Sequence, residues 1–258
     1  MELNEYKVMA RVEAKHWWFI HRLKLIRALI GKEFKKKERK LSLFDAGCGT
    51  GGMLVKLKGT GLISTACGCE PEEWAYNYCK EQGLNINNCA IEELNIQDKS
   101  FDIVLSMDVL YHRNVDPKLA IKIISNLLKL DGILILNVAA IPSLRRAHDE
   151  RDWGARRFVK SDLEELLLET DLEIVSINYW NTLLSPVIWL QSRWYEVSKK
   201  FKKKIIVNKS SLEMPSKLIN KLMIKILEIE NLLSRFIPFL IGSSILLVAR
   251  KTRVRSQR

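Results

Sequence analysis

Residues 43–52 read Leu-Phe-Asp-Ala-Gly-Cys-Gly-Thr-Gly-Gly. A short apolar run ends in small residues, so the backbone there must pass close to something. Gly47–Gly52 formally matches G-x-G-x-x-G, a turn that can cradle a dinucleotide pyrophosphate. Asp45, two residues ahead of the first glycine, argues against a phosphate. A carboxylate at a strand's carboxyl end repels an anion and suits a ligand that presents a cation.

Outward from this stretch the chain alternates strand and helix signals. Strands are expected at 41–47, 62–70, 86–90, 101–108, 133–138, 172–180 and 243–251. Helices are expected between them: one opened by Pro71 and closed by Gly83, one from Asp116 to Gly132, and one capped by Ser161 with Glu164 three residues on. Phe19, Leu23, Ile26 and Ile30 share one face of an entry helix that stops at Gly31. Such alternation predicts an α/β fold: a doubly wound, Rossmann-like, mostly parallel sheet of seven strands with helices on both faces. The expected organisation is a helical cap over 1–40, a ligand-binding core over 41–180, a helical insertion over 181–242, and a last strand with a basic tail over 243–258.

The 258 residues carry a net charge of +12, and 47% are apolar. The charge is segregated. Residues 1–40 sum to +7, residues 193–225 to +8 and residues 250–258 to +5, while the remainder sums to −8. Basic flanks around an acidic middle suggest an anionic partner surface, either membrane or nucleic acid. Leu190, Trp194, Val197 and Phe201 line one side of a helix whose other side carries Lys199, Lys200, Lys202 and Lys203, the composition of an interfacial helix. The longest apolar run, residues 236–249, falls short of the roughly 18–20 residues that span a bilayer, and it reads as a helix end, a turn and a buried strand. The N-terminus lacks a secretory pattern. Five scattered cysteines, with no C-x-x-C pair, fit reduced thiols in the cytoplasm better than disulfides or zinc.

S-adenosylmethionine carries an ammonium and no phosphate, and its carboxylate can use helix N-terminal N–H groups. Asp45-Ala-Gly-Cys-Gly-Thr-Gly51 resembles motif I of the class I S-adenosylmethionine-dependent methyltransferases. The resemblance implies cofactor contacts from Asp45, Gly47, Cys48, Gly49 and Gly51. It implies that Glu70, followed by Pro71, takes both ribose hydroxyls. It places the Ile91 backbone against adenine, and Met107 and Asp108 beside the methionine part. Ala90 stands where relatives often carry an Asp, with Glu92 as its replacement. "HWWF" at 16–19 is similar to the entry helix of a bacterial methyltransferase group linked to polysaccharide and lipid-linked sugar pathways. The Trp17-Trp18-Phe19 cluster reads either as core packing of the entry helix or as a lid over the methionine part, with Trp18 against the cofactor and Arg22 reaching its carboxylate.

Methyl transfer from a sulfonium needs positioning, exclusion of water and, for a hydroxyl acceptor, a base; it needs no metal. His148, with Asp149 or Glu150 to orient it, sits beyond the fifth strand and is the expected base. His112, Arg156 and Arg157 are expected on the substrate side, the arginines to hold a carboxylate or phosphate. The expected acceptor is a small molecule or a lipid-linked glycan precursor, methylated by a cytoplasmic enzyme touching the inner face of an anionic membrane. A nucleic-acid methyltransferase is the weaker enzyme reading, because no [DN]-P-P-[FY] motif follows the fourth strand and no Pro-Cys pair is present. A catalytically silent cofactor-binding scaffold and a nicotinamide oxidoreductase rank lower still.

Overall fold

The computed structural model describes residues 1–35, 39–94, 101–142, 156–200 and 212–253. The described elements are α1 (Leu3–Val12), α2 (Trp17–Glu33), β1 (Leu41–Ala46), α3 (Gly52–Lys58), β2 (Ile63–Cys69), α4 (Glu73–Glu81) and β3 (Asn85–Asn87). A short 3-10 turn (Ile91–Glu93) leads to β4 (Phe101–Met107), α5 (Pro117–Leu127), β5 (Leu128–Ala139), α6 (Lys160–Leu167) and β6 (Leu172–Trp180). Then come α7 (Ser185–Lys200), α8 (Lys217–Leu233) and β7 (Ser244–Lys251).

The strands form one seven-stranded sheet in the order β3-β2-β1-β4-β5-β7-β6. The pairs from β3 through β5 are parallel, and β7 runs antiparallel to both of its neighbours. The expected Rossmann-like, mostly parallel sheet is present. Each central strand is apolar on both faces, as a doubly covered sheet requires. Leu43, Ile103, Leu105 and Ile135 pack beneath Ile26 and Ile30 of α2 and Leu54 and Leu57 of α3. Phe44, Val104, Leu134 and Leu136 face the other way, beneath Ile121 and Ile124 of α5 and Leu163 and Leu167 of α6. The strand order reverses between β1 and β4, which opens a crevice at their carboxyl ends.

Several local expectations are corrected. The helix expected to reach Gly132 stops at Leu127, because Leu128 already pairs with Phe101. Gly132 lies inside β5, where a Cβ would stand 2.9 Å from the Lys129 carbonyl oxygen. Its small size serves close approach, not helix termination. Entry helix α2 continues through Gly31 to Glu33, held there by buried Ile30 and Phe34 and by the Glu33–Arg250 ion pair. At the start of α6, Asp162 replaces Ser161 as the capping group, accepting from the Val159 N–H at 2.8 Å. The third strand covers Asn85–Asn87 and does not reach Ala90. No helix among the described residues is long and apolar enough to cross a membrane.

One buried carboxylate ties the base of the sheet together. Asp102, at the start of β4, is 1% exposed and accepts from the Ser42 N–H and hydroxyl of β1, each at 2.9 Å. Arg39 and Lys129 also pair with it. Burial raises the Asp102 pKa, but the bonds from Arg39 and Ser42 and the charge of Lys129 outweigh it and hold the carboxyl below its usual range. Asp102→Asn is therefore expected to lower stability at pH 7 by about 2 kcal/mol in urea unfolding. A depressed folded pKa gives stability that is complete above the unfolded value of about 4 and lost as pH falls below it. The difference between wild type and variant should accordingly shrink in acid.

Candidate active site

The sharp turn after β1 begins the site. Gly47 (φ +87°) and Gly49 (φ +58°) adopt left-handed backbone, and a Cβ on Gly47 would lie 2.5 Å from Val109. Only glycine lets this loop run so close to the end of β4. Glu70, at the end of β2, holds the loop in place, accepting from the Gly49 N–H at 2.9 Å and the Glu72 N–H at 3.1 Å.

A cavity of about 670 Å³ opens beside the loop. It gathers Asp45, Gly47, Cys48, Gly49, Glu70, Pro71, Met107 and Asp108 from the strand ends, and Trp18 and Arg22 from α2. His112, Arg156 and Arg157 line it as well. Gly51 does not reach the cavity; it caps α3 from beneath (φ +76°). Ile91 is buried in the core under α5, and Glu92 is engaged by the Asp116 N–H at 2.9 Å. His148, Asp149 and Glu150 lie outside the described residues.

Two buried groups of opposite charge in this cavity each have an unmatched atom. Asp45 is 2% exposed and its Oδ1 has no hydrogen-bond partner. Burial pushes its carboxyl up to about 7, with Arg22 pulling it down and Glu70 raising it. Arg22 is 9% exposed and its Nε is likewise unpartnered. Its Nη1 donates to Asp108 Oδ2 at 2.5 Å. Asp108, itself at φ +65°, also accepts from Asn137 Nδ2 at 2.7 Å, and Asn137 Oδ1 in turn accepts from Trp180 Nε1 at 2.8 Å. Trp180 stacks on Trp18 at 4.6 Å between ring centroids. Cavity floor, entry helix and the start of the segment after β6 are thus joined in one chain of contacts.

Helix α1, within the helical cap expected over 1–40, lies across the glycine loop, a contact that sequence reasoning missed. The Tyr6 hydroxyl donates to Glu70 Oε1 at 2.8 Å, Met9 sits over Gly49, and Glu13 just beyond the helix accepts from the Thr50 hydroxyl at 2.9 Å. Burial pushes the Glu13 carboxyl up, partly countered by the Thr50 bond. The spacing of Tyr6, Met9 and Glu13 along one helical face was the available signal. Of the aromatic cluster read either as core packing or as a lid, Trp17, Trp18 and Phe19 all line the cavity, and Phe19 also packs against Val8 and Val12 of α1. His16 caps α2, its Nδ1 accepting from the Trp18 N–H at 3.3 Å. Arg156 and Arg157 donate to the carbonyl oxygens of Val115 and Ala140, at 3.2 and 2.8 Å, which fixes both guanidinium groups at the cavity wall.

Comparison with known proteins agrees with this arrangement. Residues 44–136 match the methyltransferase domain. A ubiquinone biosynthesis O-methyltransferase of Rickettsia akari is 26% identical over 207 residues, covering 67% of this chain and 81% of that protein. Its counterpart in Rickettsia felis is 28% identical, over 52% of this chain and 62% of that protein. Among solved structures, a SAM-dependent methyltransferase from Thermotoga maritima superposes with a TM-score of 0.58 at 18% identity, covering 97% of this chain and 96% of the other. Geranyl diphosphate C-methyltransferase from Streptomyces coelicolor, solved with S-adenosyl-L-homocysteine, gives 0.55 at 14% identity, covering 89% and 76%. Residues 44–136 thus form a methyltransferase domain set in a seven-stranded Rossmann-like sheet, and the chain is similar to S-adenosylmethionine-dependent methyltransferases.

Proposed function

We propose that the cavity binds S-adenosylmethionine and methylates a small amphiphilic molecule with an anionic or polar end. One observation carries the cofactor assignment: an unmatched carboxylate oxygen on Asp45 and an unmatched guanidinium nitrogen on Arg22 face one cavity. An amino-acid zwitterion satisfies both at once, its ammonium on Asp45 and its carboxylate on Arg22. A pyrophosphate would leave Asp45 facing like charge. Glu70 would take the ribose hydroxyls in place of the Tyr6 hydroxyl that it now accepts from, and Gly47 and Gly49 allow close backbone approach.

When bound, the cofactor supplies an electrophilic methyl carbon on a sulfonium. The protein's own part is to orient and to exclude water. Trp18, Phe19 and Met9 dry the upper wall, and Asp108 holds Arg22 in position through their ion pair. The acceptor's anionic end is assigned to Arg156 and Arg157, and its apolar body to Leu184, Ile188 and Met223 on the far wall. The lipid-linked glycan precursor suggested by the HWWF resemblance would fit such a division. The relatives' printed activity, O-methylation in ubiquinone biosynthesis, supports a hydroxyl acceptor. Its proton would go to His148, oriented by Asp149, while His112 lies against Tyr111 and contacts the acceptor.

Asp45 must be ionised to hold an ammonium, so affinity for S-adenosylhomocysteine should fall as pH drops through the Asp45 pKa of about 7. Calorimetry should show roughly eightfold weaker binding at pH 6 than at pH 7.5. Asp45→Asn should bind weakly and without that pH dependence. 5′-Methylthioadenosine, which lacks the amino-acid end, should bind wild type and variant alike. Binding of NAD in place of S-adenosylhomocysteine would refute the assignment. For the acid–base role, His148→Ala should lower kcat about 100-fold or more at unchanged cofactor affinity. His112→Ala should mainly raise KM for the acceptor.

A further inference from the structure

Helix α8 is apolar on two opposite sides. One side packs inward: buried Leu227 and half-buried Met223 and Ile226 meet Trp17, Leu25 and Ile188. The other faces outward with Leu218, Leu222, Ile229 and Leu232 exposed by 79, 56, 54 and 54%. Exposed Lys217, Lys221 and Lys225 run beside this stripe at four-residue intervals. The stripe leads into the turn Phe236–Ile241, part of the run expected from sequence to be a helix end, a turn and a buried strand. Phe236 and Leu240 there are 79 and 88% exposed, among the most exposed large apolar side chains described, and Arg235 precedes them.

This turn is anchored. The Thr182 hydroxyl donates to the Ile241 carbonyl oxygen, and a Cβ on Gly242 would lie 2.5 Å from the Trp180 carbonyl oxygen. Its anchors adjoin Leu184, Ser243 and Ser244, which line the cavity. Val187 is 53% exposed and lines the cavity too, so the apolar exterior and the cavity wall are continuous there.

We propose that α8 and the Phe236–Ile241 turn form a docking surface for an anionic lipid bilayer, with the turn inserted among the acyl chains and the lysines at the headgroups. Apolar side chains bordered by cations match that interface in both layers. A second copy of the chain would oppose one lysine row to another, and a nucleic acid would leave the apolar turn in water. The nearest acid on α8, Glu228, is neutralised by Lys24 of α2. The surface goes beyond methyl transfer and stands without it; joined to it, it would let the cavity take an acceptor directly from the membrane.

Vesicle flotation of the full chain tests the proposal, using phosphatidylcholine alone and phosphatidylcholine with about a third phosphatidylglycerol. Wild type should bind the anionic vesicles, and salt should weaken the binding. Phe236→Glu/Leu240→Glu should cut the partition coefficient at least about tenfold. Lys217→Gln/Lys221→Gln/Lys225→Gln should cut it by about fivefold per charge. All five side chains are exposed, so melting temperatures should match wild type. Absence of wild-type binding, or equal binding by the Phe236/Leu240 variant, would overturn the proposal. So would a lipid-free dimer in sedimentation velocity that this variant dissolves, or complete displacement from vesicles by RNA.

Discussion

The ion pair between Arg22 and Asp108 is the contact on which the cavity's shape depends. It fastens α2 to the end of β4 over a sheet crevice that would otherwise lie open. Asp108 occupies a backbone conformation that costs about 1 kcal/mol or more in most residues, and two side-chain partners hold it there. Burial raises the Asp108 pKa, while Arg22 and then Asn137 pull it back toward the ionised form. Removing one member of a buried pair typically costs about 3–5 kcal/mol, because the survivor is left charged and unmatched. Through Asn137 the same pair reaches Trp180, and through Trp180 the stacked Trp18. Polar network and aromatic stack together fix the position of the roof above the glycine loop.

The strands and the glycine loop were legible because their signals are local. Apolar runs bounded by glycine and proline mark buried parallel strands, and Gly47–Gly52 marks the sharp turn that follows β1. Strand-end placement then brought most of the named residues to one cavity without further information. Gly51 and Ile91 do not line that cavity, because a motif gives chain position and not which side of a turn faces the cavity. The contact of helix α1 with the loop escaped for a different reason. Its apolar residues are interleaved with Asn4, Glu5, Lys7 and Arg11, and while Val8 and Val12 pack with Phe19, Tyr6, Met9 and Glu13 reach the glycine loop and Glu70. Such a helix looks like a polar terminus until its partner surface is known. Asn137, in the apolar run Ile-Leu-Ile-Leu-Asn-Val, was visible as a polar residue in a buried strand, but nothing in the sequence says that Asp108 and Trp180 are its partners.

The turn at Phe236–Ile241 shows the limit of hydropathy as a guide. The run from Phe236 to Ala249 is nearly uniform in composition, yet Leu247 and Ala249 are fully buried while Phe236 and Leu240 face outward. Gly242 divides the two because its backbone must pass against Trp180. The division comes from a long-range contact between the ends of β6 and β7.

The sheet order also bears on how the chain acquires its shape during synthesis. Strand β7 lies between β5 and β6, pairing with Ile133–Ala139 on one side and Leu172–Trp180 on the other. Ribosomes deliver β5 and β6 long before β7 exists. Until it arrives, β5 has a bare edge and β6 has no neighbour at all, so both are open to wrong partners. The parallel half of the sheet can form as it emerges, but its completion waits for a slot to be filled from within. A nascent chain stalled inside α8 would therefore offer chaperones and proteases two unpaired strands, and the late insertion of eight residues is the step that separates a finished enzyme from a substrate for degradation.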